Sequence, residues 1–434
     1  MATDILILGG GLAGLAAAAA LGKSGQRVRV LEMRGFLGGR ATSYPVPQST
    51  EEIIDNCQHI LLRCCVNLLD FYKRLGVEDK IEFHREFFFL EPGGRASILK
   101  SGMLPAPLHF TGAFLGMQCL TLGDKIGIGK AILAIKTEYK SRRDLDSITM
   151  MDWLREKKQS ANAIERFWRQ VLVSAINEEL DAMAAIHGLQ VFYLGFLASS
   201  NSYEMGIPAV PLAELYDGDV WSRIPGVEIV PRAAVETIQI ENGRVSSVTI
   251  SGGQQLTADI YLSALPFERL ATIVPSLVPD GFGHSPITGI HLWFDRPITN
   301  LPHATLLDRT MQWMFNKGDG KHIQLVVSAS RQLTNMPRQQ VIDLAVKELG
   351  EFFPAVAGAR LEKAHVVKEV RATFAAAPGL ESRRPTNKTS IPNLYLAGDW
   401  TRSGWPATME GAVRSGYLAA EAITGQSYCL PDIA

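Results

Sequence analysis

Apolar and polar positions alternate along this chain in two different rhythms. Asp4–Leu8 is a short, almost unbroken apolar run, which predicts a strand buried on both faces. A glycine-rich turn follows, and then an Ala-rich stretch, Leu12–Lys23, that predicts a helix closed at Gly25. Arg27–Glu32 predicts the next strand. Strand, helix and strand at this spacing form a βαβ unit, the start of a parallel, doubly wound α/β sheet. From about residue 66 to 214 helical periodicity takes over, and helices are expected over Val66–Leu75, Met151–Lys158, Ala163–Ala175 and Leu180–Ala198. Strand patterns return at Val227–Val230, Val235–Glu241, Val245–Ile250 and Asp259–Ser263, with Asn242-Gly243 marking a hairpin. Thr288–Phe294, Ile323–Ala329 and Lys363–Phe374 predict a second sheet. Pro337–Phe352 reads as a helix, Asn393–Ala397 as a strand and Met409–Ile423 as a last helix. There is no internal repeat.

Two glycine-bearing motifs give the elements a chemistry. Gly9-x-Gly11-x-x-Gly14 lies directly after a strand and opens a helix, the context in which this pattern binds a dinucleotide. Gly9 permits the tight turn, Gly11 lets the backbone approach a pyrophosphate, and Gly14 lets helix and strand pack closely. The helix start at Leu12 and Ala13 offers N–H groups to the phosphates. Glu32, at the end of the second strand, is placed to accept hydrogen bonds from a ribose diol. Gly38-Gly39-Arg40, preceded by Arg34, suits a backbone passing close to a diphosphate with guanidinium contacts. At the other end, Leu396-Ala-Gly398-Asp399-Trp400 leads through Met409-Glu-Gly411-Ala412 into the last helix. Asp399 is a candidate acceptor for ribityl hydroxyls. The helix start at Met409 would aim its positive end at the pyrimidine edge of a flavin. Together the two ends indicate FAD, and the cofactor set also takes in Val235.

Composition narrows the remaining choices. The 434 residues are enough for two packed domains. With 43 Lys plus Arg against 44 Asp plus Glu, the net charge of −1 leaves no basic field for nucleic acid. The 47% hydrophobic content leaves room for an apolar cavity. Five cysteines without a Cys-x-x-Cys pair argue against a disulfide framework or a zinc ribbon. The nine histidines form no metal-binding pattern, and there is no Gly-x-Ser-x-Gly elbow. No leader pattern precedes the first strand, so a cytoplasmic location is expected. A single dinucleotide fingerprint means that electrons are expected to come from an external donor, reduced flavin or a reductase.

The motifs resemble those of the FAD-dependent amine oxidase and carotenoid desaturase superfamily. The stretch from Gly398 through Gly416 is most similar to its phytoene desaturase side. Asp55-Asn-Cys57-Gln58-His59, Gly206-Ile-Pro208-Ala-Val-Pro211-Leu, and Asp308-Arg309 with Gln312-Trp313 are similar to the hydroxysqualene dehydroxylases, also called squalene-associated FAD-dependent desaturases, of squalene and hopanoid biosynthesis. Cys57 departs from the glycine expected there. The resemblance covers essentially the whole chain. It implies a Rossmann-like, doubly wound FAD-binding domain with an inserted α+β substrate-binding domain. The first would comprise residues 1–75, 215–285 and 386–434, the second 76–214 and 286–385. It also implies reductive removal of the hydroxyl of hydroxysqualene to give squalene. The same scaffold serves carotenoid and other polyprenyl desaturases, and amine oxidases. A lipid carrier holding FAD structurally is a further alternative.

A C30 isoprenoid has almost no polar handle, so its site is expected to be a long apolar tunnel. Met103–Leu122, Leu189–Leu197, Trp293, Trp313 and Phe315 are the expected lining. Ser101–Gly123 carries no formal charge but is interrupted by prolines, and it is followed by Lys125, Lys130, Lys136, Lys140, Arg142 and Arg143. That pattern suits peripheral contact with an anionic bilayer, from which a lipid substrate would enter. His59 is a candidate general acid. Asp55 is a candidate to orient it, which at a separation of four requires a helix. Trp313, Trp400 and Trp405 could stabilise cationic character. The Asp308-Arg309 pair is a candidate structural ion pair.

Overall fold

The computed structural model describes residues 2–46, 52–216 and 218–433. Its first layer is a five-stranded parallel sheet in the order Val227–Pro231, Arg27–Glu32, Asp4–Leu8, Ile260–Ser263, Leu394–Leu396. The strands come from the beginning, the middle and the end of the chain. Parallel strands need crossovers, and the central strand Asp4–Leu8 is buried on both faces, which is why Ile5-Leu-Ile-Leu8 reads as a continuous apolar run.

Leu12–Lys23 and Met409–Thr424 pack on one another beside this sheet. Their approach is closer than side chains allow. A Cβ on Gly416 would stand 2.2 Å from the Ala13 carbonyl oxygen. The alanines of the first helix, Ala16 to Ala20, are all fully buried. Small residues here set the spacing of the two helices that flank the glycine turn. A three-stranded antiparallel sheet, Val235–Glu241, Arg244–Ile250 and Gln255–Leu256, with the anticipated Asn242-Gly243 turn, completes this half.

The second half is a seven-stranded mixed sheet in the order Leu361–Phe374, His284–Phe294, His322–Ser328, Trp313–Asn316, His303–Leu306, Glu86–Leu90, Ala96–Lys100. Two of its strands correct the sequence reading, which treated residues 66–214 as helical. Glu86–Leu90 and Ala96–Lys100 form a hairpin around Pro92-Gly93-Gly94 and extend this sheet through the strand His303–Leu306. The expected helix Leu180–Ala198 is also corrected. It begins only at Ala185, because the Ala184 N–H is given to the Ala376 carbonyl, and from Val191 to Leu197 it widens into π-helical turns. The helices Leu122–Ser141, Met150–Glu156 and 161–176 pack on one side of the sheet, and Arg338–Phe352 packs with Ile290, Leu292, Leu325 and Val327 in a separate core. Among the described residues no helix is long and apolar enough to cross a membrane.

Candidate active site

The glycine turn is built as its spacing requires. Gly9 has φ +114°, and a Cβ there would stand 2.9 Å from the Ala264 carbonyl oxygen. A Cβ on Gly14 would stand 2.0 Å from the Gly9 carbonyl oxygen, so helix and turn touch through backbone. Gly11 differs. Its nearest neighbour is the Gly39 Cα at 3.9 Å, so the space beside it is left for something else. No side chain caps the helix that starts at Leu12 and Ala13, which leaves its first N–H groups for an anionic ligand.

The second glycine loop lies over the first. The Gly38 N–H donates to the Gly10 carbonyl at 2.9 Å, and Gly39, with φ +64°, stacks on Gly11. Glu32 is buried, and its carboxylate accepts from the Gly10 N–H at 2.9 Å and the Arg34 N–H at 2.8 Å. Ala233 and Arg232 donate their N–H groups to the backbone carbonyls of Glu32 and Arg34, so the strand beginning at Val235 starts near the end of the strand Arg27–Glu32. Arg34 itself is exposed, with its guanidinium 3.4 Å from the Gly39 carbonyl.

The far end of the chain closes the same site. Arg40 donates to the Asp399 carboxylate at 2.7 Å and to the Ala372 carbonyl at 2.9 Å. Partial desolvation of its guanidinium opposes the Arg40 charge, but the Asp399 carboxylate outweighs it and holds its pKa above the ordinary value, while the rest of the side chain reaches solvent. Two residues 359 apart in sequence thus meet between the glycine loop and the last helix. Gly398, at φ +142°, gives its N–H to Ser415 at 2.8 Å. The last helix opens at Met409, capped by Thr408, whose hydroxyl accepts from the Gly411 N–H at 3.0 Å. A Cβ on Gly411 would stand 2.5 Å from the Pro406 carbonyl oxygen. Ala412 follows in this first turn. Two helix N-termini, a buried carboxylate and an acid at the sheet end surround a gap that no Cβ fills, and this donor and acceptor set fits FAD.

Two residues with structural weight here were missed by the sequence reading. Arg384 is fully buried, and it donates to the carbonyls of Asp399 (2.8 Å), Trp405 (2.7 Å), Trp400 (3.4 Å) and Thr401, and pairs with Glu381. Its neighbours Arg383 and Pro385 carry no periodic signal that would have flagged it. Glu410 is the other. Its buried carboxylate accepts from the N–H groups of Asn67 (3.2 Å) and Leu68 (2.7 Å) and from the Asn67 side chain (2.9 Å), so it caps the helix Val66–Leu75 from across the fold. Burial raises its pKa above 4.5, and the two backbone N–H groups and Arg414 offset this only in part. The folded state therefore holds this proton more tightly than the unfolded chain. Stability is expected to fall as pH rises from about 4.5 through the elevated value. Melts across that range should show a shallower slope for Glu410→Gln; an identical slope would remove Glu410 as its source.

Asp55 and His59 are hydrogen-bonded to other groups and not to each other. Asp55 lies in a strand, Ile53–Asp55, rather than in the helix that a contact at a separation of four would use, although its charge still acts on the His59 ring. Its carboxylate is held by Ser43 (2.7 Å), the Leu212 N–H (3.0 Å) and Lys317 (3.3 Å). Lys317 also donates to Gln58 at 3.0 Å. His59 is half-buried, its Nδ1 is 2.9 Å from the Cys57 carbonyl, and burial lowers its pKa. Cys57 is a buried thiol, pushed up to about 12 by burial. Asp308 and Arg309 do not pair with each other as ions: Asp308 binds Arg166 at 2.6 Å and Arg309 binds Glu351 at 2.5 Å.

An apolar cavity, partly open to solvent, runs beside the start of the last helix. Trp405, Met409 and Glu410 line it at that side, Phe87, Phe89 and Trp313 come from the second sheet, and Leu194 and Phe196 come from the helical part. The expected stretch Leu189–Leu197 and Trp313 thus contribute. Trp293, Phe315 and Met103–Leu122 do not. Trp293 stacks on His322 at 4.3 Å, Phe315 stacks on Trp313 at 5.7 Å, and Met103, Leu104, Leu108 and Leu115 face solvent. Among the described residues, no group of three or more His, Cys, Asp or Glu could hold a metal ion.

Residues 12–424 match the protein family described as flavin containing amine oxidoreductase. The chain is 27% identical over 460 residues to the 15-cis-phytoene desaturase of Synechococcus elongatus, covering 96% of this chain and 95% of that protein. It is 27% identical over 470 residues to the chloroplastic/chromoplastic 15-cis-phytoene desaturase of Solanum lycopersicum, covering 97% and 77%. Among solved structures, an oxidoreductase from Methanosarcina mazei superposes with a TM-score of 0.72 at 18% identity, over 97% of this chain and 100% of that one.

Proposed function

The chain belongs to the flavin containing amine oxidoreductase family, and from that premise we propose that this FAD-dependent oxidoreductase moves hydride between its flavin and a long, apolar polyprenoid. The observation that carries the reading is the cavity. It extends from the N-terminus of the helix Met409–Thr424 to Phe87, Phe89, Leu99 and Trp313, and among its described lining residues there is no Lys or Arg. FAD, when bound, supplies a two-electron hydride acceptor or donor. The protein contributes the apolar walls that exclude water and align the chain, and the aromatic faces of Trp313 and Trp405 against developing cationic character. An amine substrate fits less well. The one carboxylate in the lining, Glu410, is already committed to Asn67 and Leu68.

Two reactions share this scaffold. Desaturation, as the phytoene desaturase relatives are named for, takes a hydride and a proton out of the chain. Reductive dehydroxylation of hydroxysqualene puts a hydride in, while a proton leaves with the hydroxyl as water. The desaturase relatives support the first reaction; the second rests on the sequence stretches that resemble the hydroxysqualene dehydroxylases, two of which meet in the fold. Asp55 accepts from the Leu212 N–H, and the strand Leu61–Leu62 pairs with Met205–Gly206, so segments 55–62 and 205–212 pack together, and Ile60, Leu61 and Leu62 reach the cavity. His59 stays the candidate acid of that region, with Asp55 supporting the packing itself. The electrons for reduction would come from an external donor, reduced flavin or a reductase.

The deciding experiment is anaerobic. Photoreduced enzyme is mixed with hydroxysqualene, and oxidised enzyme with phytoene and a quinone, while flavin absorbance and extracted lipid are followed. Squalene formed in step with flavin reoxidation establishes dehydroxylation, and desaturated phytoene establishes the desaturase. No lipid change in either arm refutes the polyprenoid reading.

The substrate side also presents an apolar surface. Met103, Leu108, Leu115, Leu122, Ile126 and Leu133 are all more than half exposed. On the helix Leu122–Ser141 the exposed stripe passes from Leu122 and Ile126 to Lys130, Lys136 and Lys140. Arg142 is not part of the basic set, since Glu138, Asp144 and Glu156 engage it. This surface suits peripheral docking on the inner face of the cytoplasmic membrane, apolar side chains inserted and lysines on anionic headgroups. Replacing Leu115, Leu122 and Ile126 together by serine should reduce co-sedimentation with phosphatidylglycerol vesicles at least about tenfold, with FAD content unchanged. Equal sedimentation of variant and parent would rule the surface out.

A further inference from the structure

Thr305 lies in the strand His303–Leu306, inside the seven-stranded sheet, and its side chain lines the apolar cavity. It is fully buried, and its hydroxyl has no hydrogen-bond partner among the described residues. A buried hydroxyl left without a partner costs about 1–3 kcal/mol, and native interiors rarely keep one. The neighbours do not serve it. Phe89 and Trp313 flank Thr305 in register on either side. The Trp313 indole N–H is given to the Ser174 hydroxyl at 2.6 Å, and Ser174 donates onward to the Gln170 carbonyl at 2.8 Å. The Gln170 amide donates to the Glu165 carbonyl at 3.0 Å. What remains around Thr305 is Phe87, Phe89 and Leu99.

We propose that Thr305 is a specificity-determining residue that hydrogen-bonds a neutral oxygen function, a hydroxyl, on an otherwise apolar substrate chain. The inference rests on the polyprenoid reading above and narrows it. A threonine hydroxyl offers one donor and two acceptor sites, which an alcohol matches and a bare hydrocarbon leaves orphaned. A site built to hold a hydroxyl discriminates strongly against the analogue that lacks it. The oxygen function is not a diphosphate, because the cavity lining contains no cation among the described residues. His303, two residues earlier on the same face of the strand, is also fully buried with both ring nitrogens unpartnered. Packed against Phe87, Phe88, Trp313 and Phe315, with His84 beside it, its ring has a pKa lowered to about 3 by burial. It is a neutral donor and acceptor at pH 7 and brings no charge to Thr305.

The test uses FAD-loaded, oxidised enzyme without oxygen, with hydroxysqualene and squalene as probes and their binding read from flavin absorbance. Thr305→Val keeps the shape and the strand preference and removes the hydroxyl; Thr305→Ser keeps the hydroxyl. Thr305→Val should weaken hydroxysqualene binding about tenfold, leave squalene binding unchanged or tighter, and leave the melting temperature equal or higher, because an orphaned polar group has gone. Thr305→Ser should bind hydroxysqualene as the parent does. Loss of both probes to the same degree, or of neither, overturns the role of Thr305 while leaving the polyprenoid reading in place. Failure of the parent to bind either probe refutes that reading and the inference together.

Discussion

Replacing Arg384 by alanine is expected to abolish FAD binding and to destabilise the fold by about 3–5 kcal/mol. The side chain is fully buried and holds residues 399–405 by four of their carbonyl groups. Removing it leaves those carbonyls without donors and Glu381 without its partner, and each unsatisfied buried group carries its own desolvation cost. The loop so released carries Asp399 into the cofactor site and leads to the helix start at Met409. Lysine does not substitute. A single ammonium cannot reach in the several directions that the planar guanidinium does, so Arg384→Lys should also lose most bound flavin. Flavin absorbance of the purified variant, read with its thermal melt, checks both parts. A variant that keeps stoichiometric FAD and the parental melting temperature would show that the loop holds itself.

Arg384 also shows where the sequence ceases to be readable. The glycine fingerprint is local: strand, turn, helix and carboxylate all lie within Asp4–Glu32, and each residue's task follows from its own backbone. The closing half of the site depends on contacts between segments hundreds of residues apart, such as Arg40 with Asp399 and Asn67 with Glu410, and no spacing rule reports those. The hairpin of Glu86–Leu90 and Ala96–Lys100 carried a turn signal in Pro92-Gly93-Gly94, but helical patterns on both sides obscured it. Asp55 and His59 were linked by a helical spacing that a strand does not share. The segment from Met103 to Leu122 is apolar, and composition alone does not distinguish an apolar wall facing a cavity from one facing outward.

Gly11→Ala and Gly14→Ala are expected to fail in different ways, and the contrast isolates the cofactor from the fold. A methyl group on Gly14 would stand 2.0 Å from the Gly9 carbonyl oxygen, a backbone atom with nowhere to go. That substitution must open the turn, so the protein should lose stability by several kcal/mol whether or not FAD is present, or fail to accumulate in soluble form. A methyl group on Gly11 meets only the Gly39 Cα at 3.9 Å, an ordinary contact, and the φ of −79° there suits alanine. The apoprotein should therefore melt within about 0.5 kcal/mol of the parental apoprotein. The cost should appear only when the pyrophosphate must approach this backbone, as a loss of FAD affinity of about a hundredfold, or about 2.7 kcal/mol. Titration of FAD into apoprotein and melts without the cofactor separate the two cases. If Gly11→Ala bound FAD with parental affinity, the diphosphate would not cross the turn at Gly11. The assignment of the nucleotide to the two glycine loops would then have to be abandoned, even though the fold around them stood.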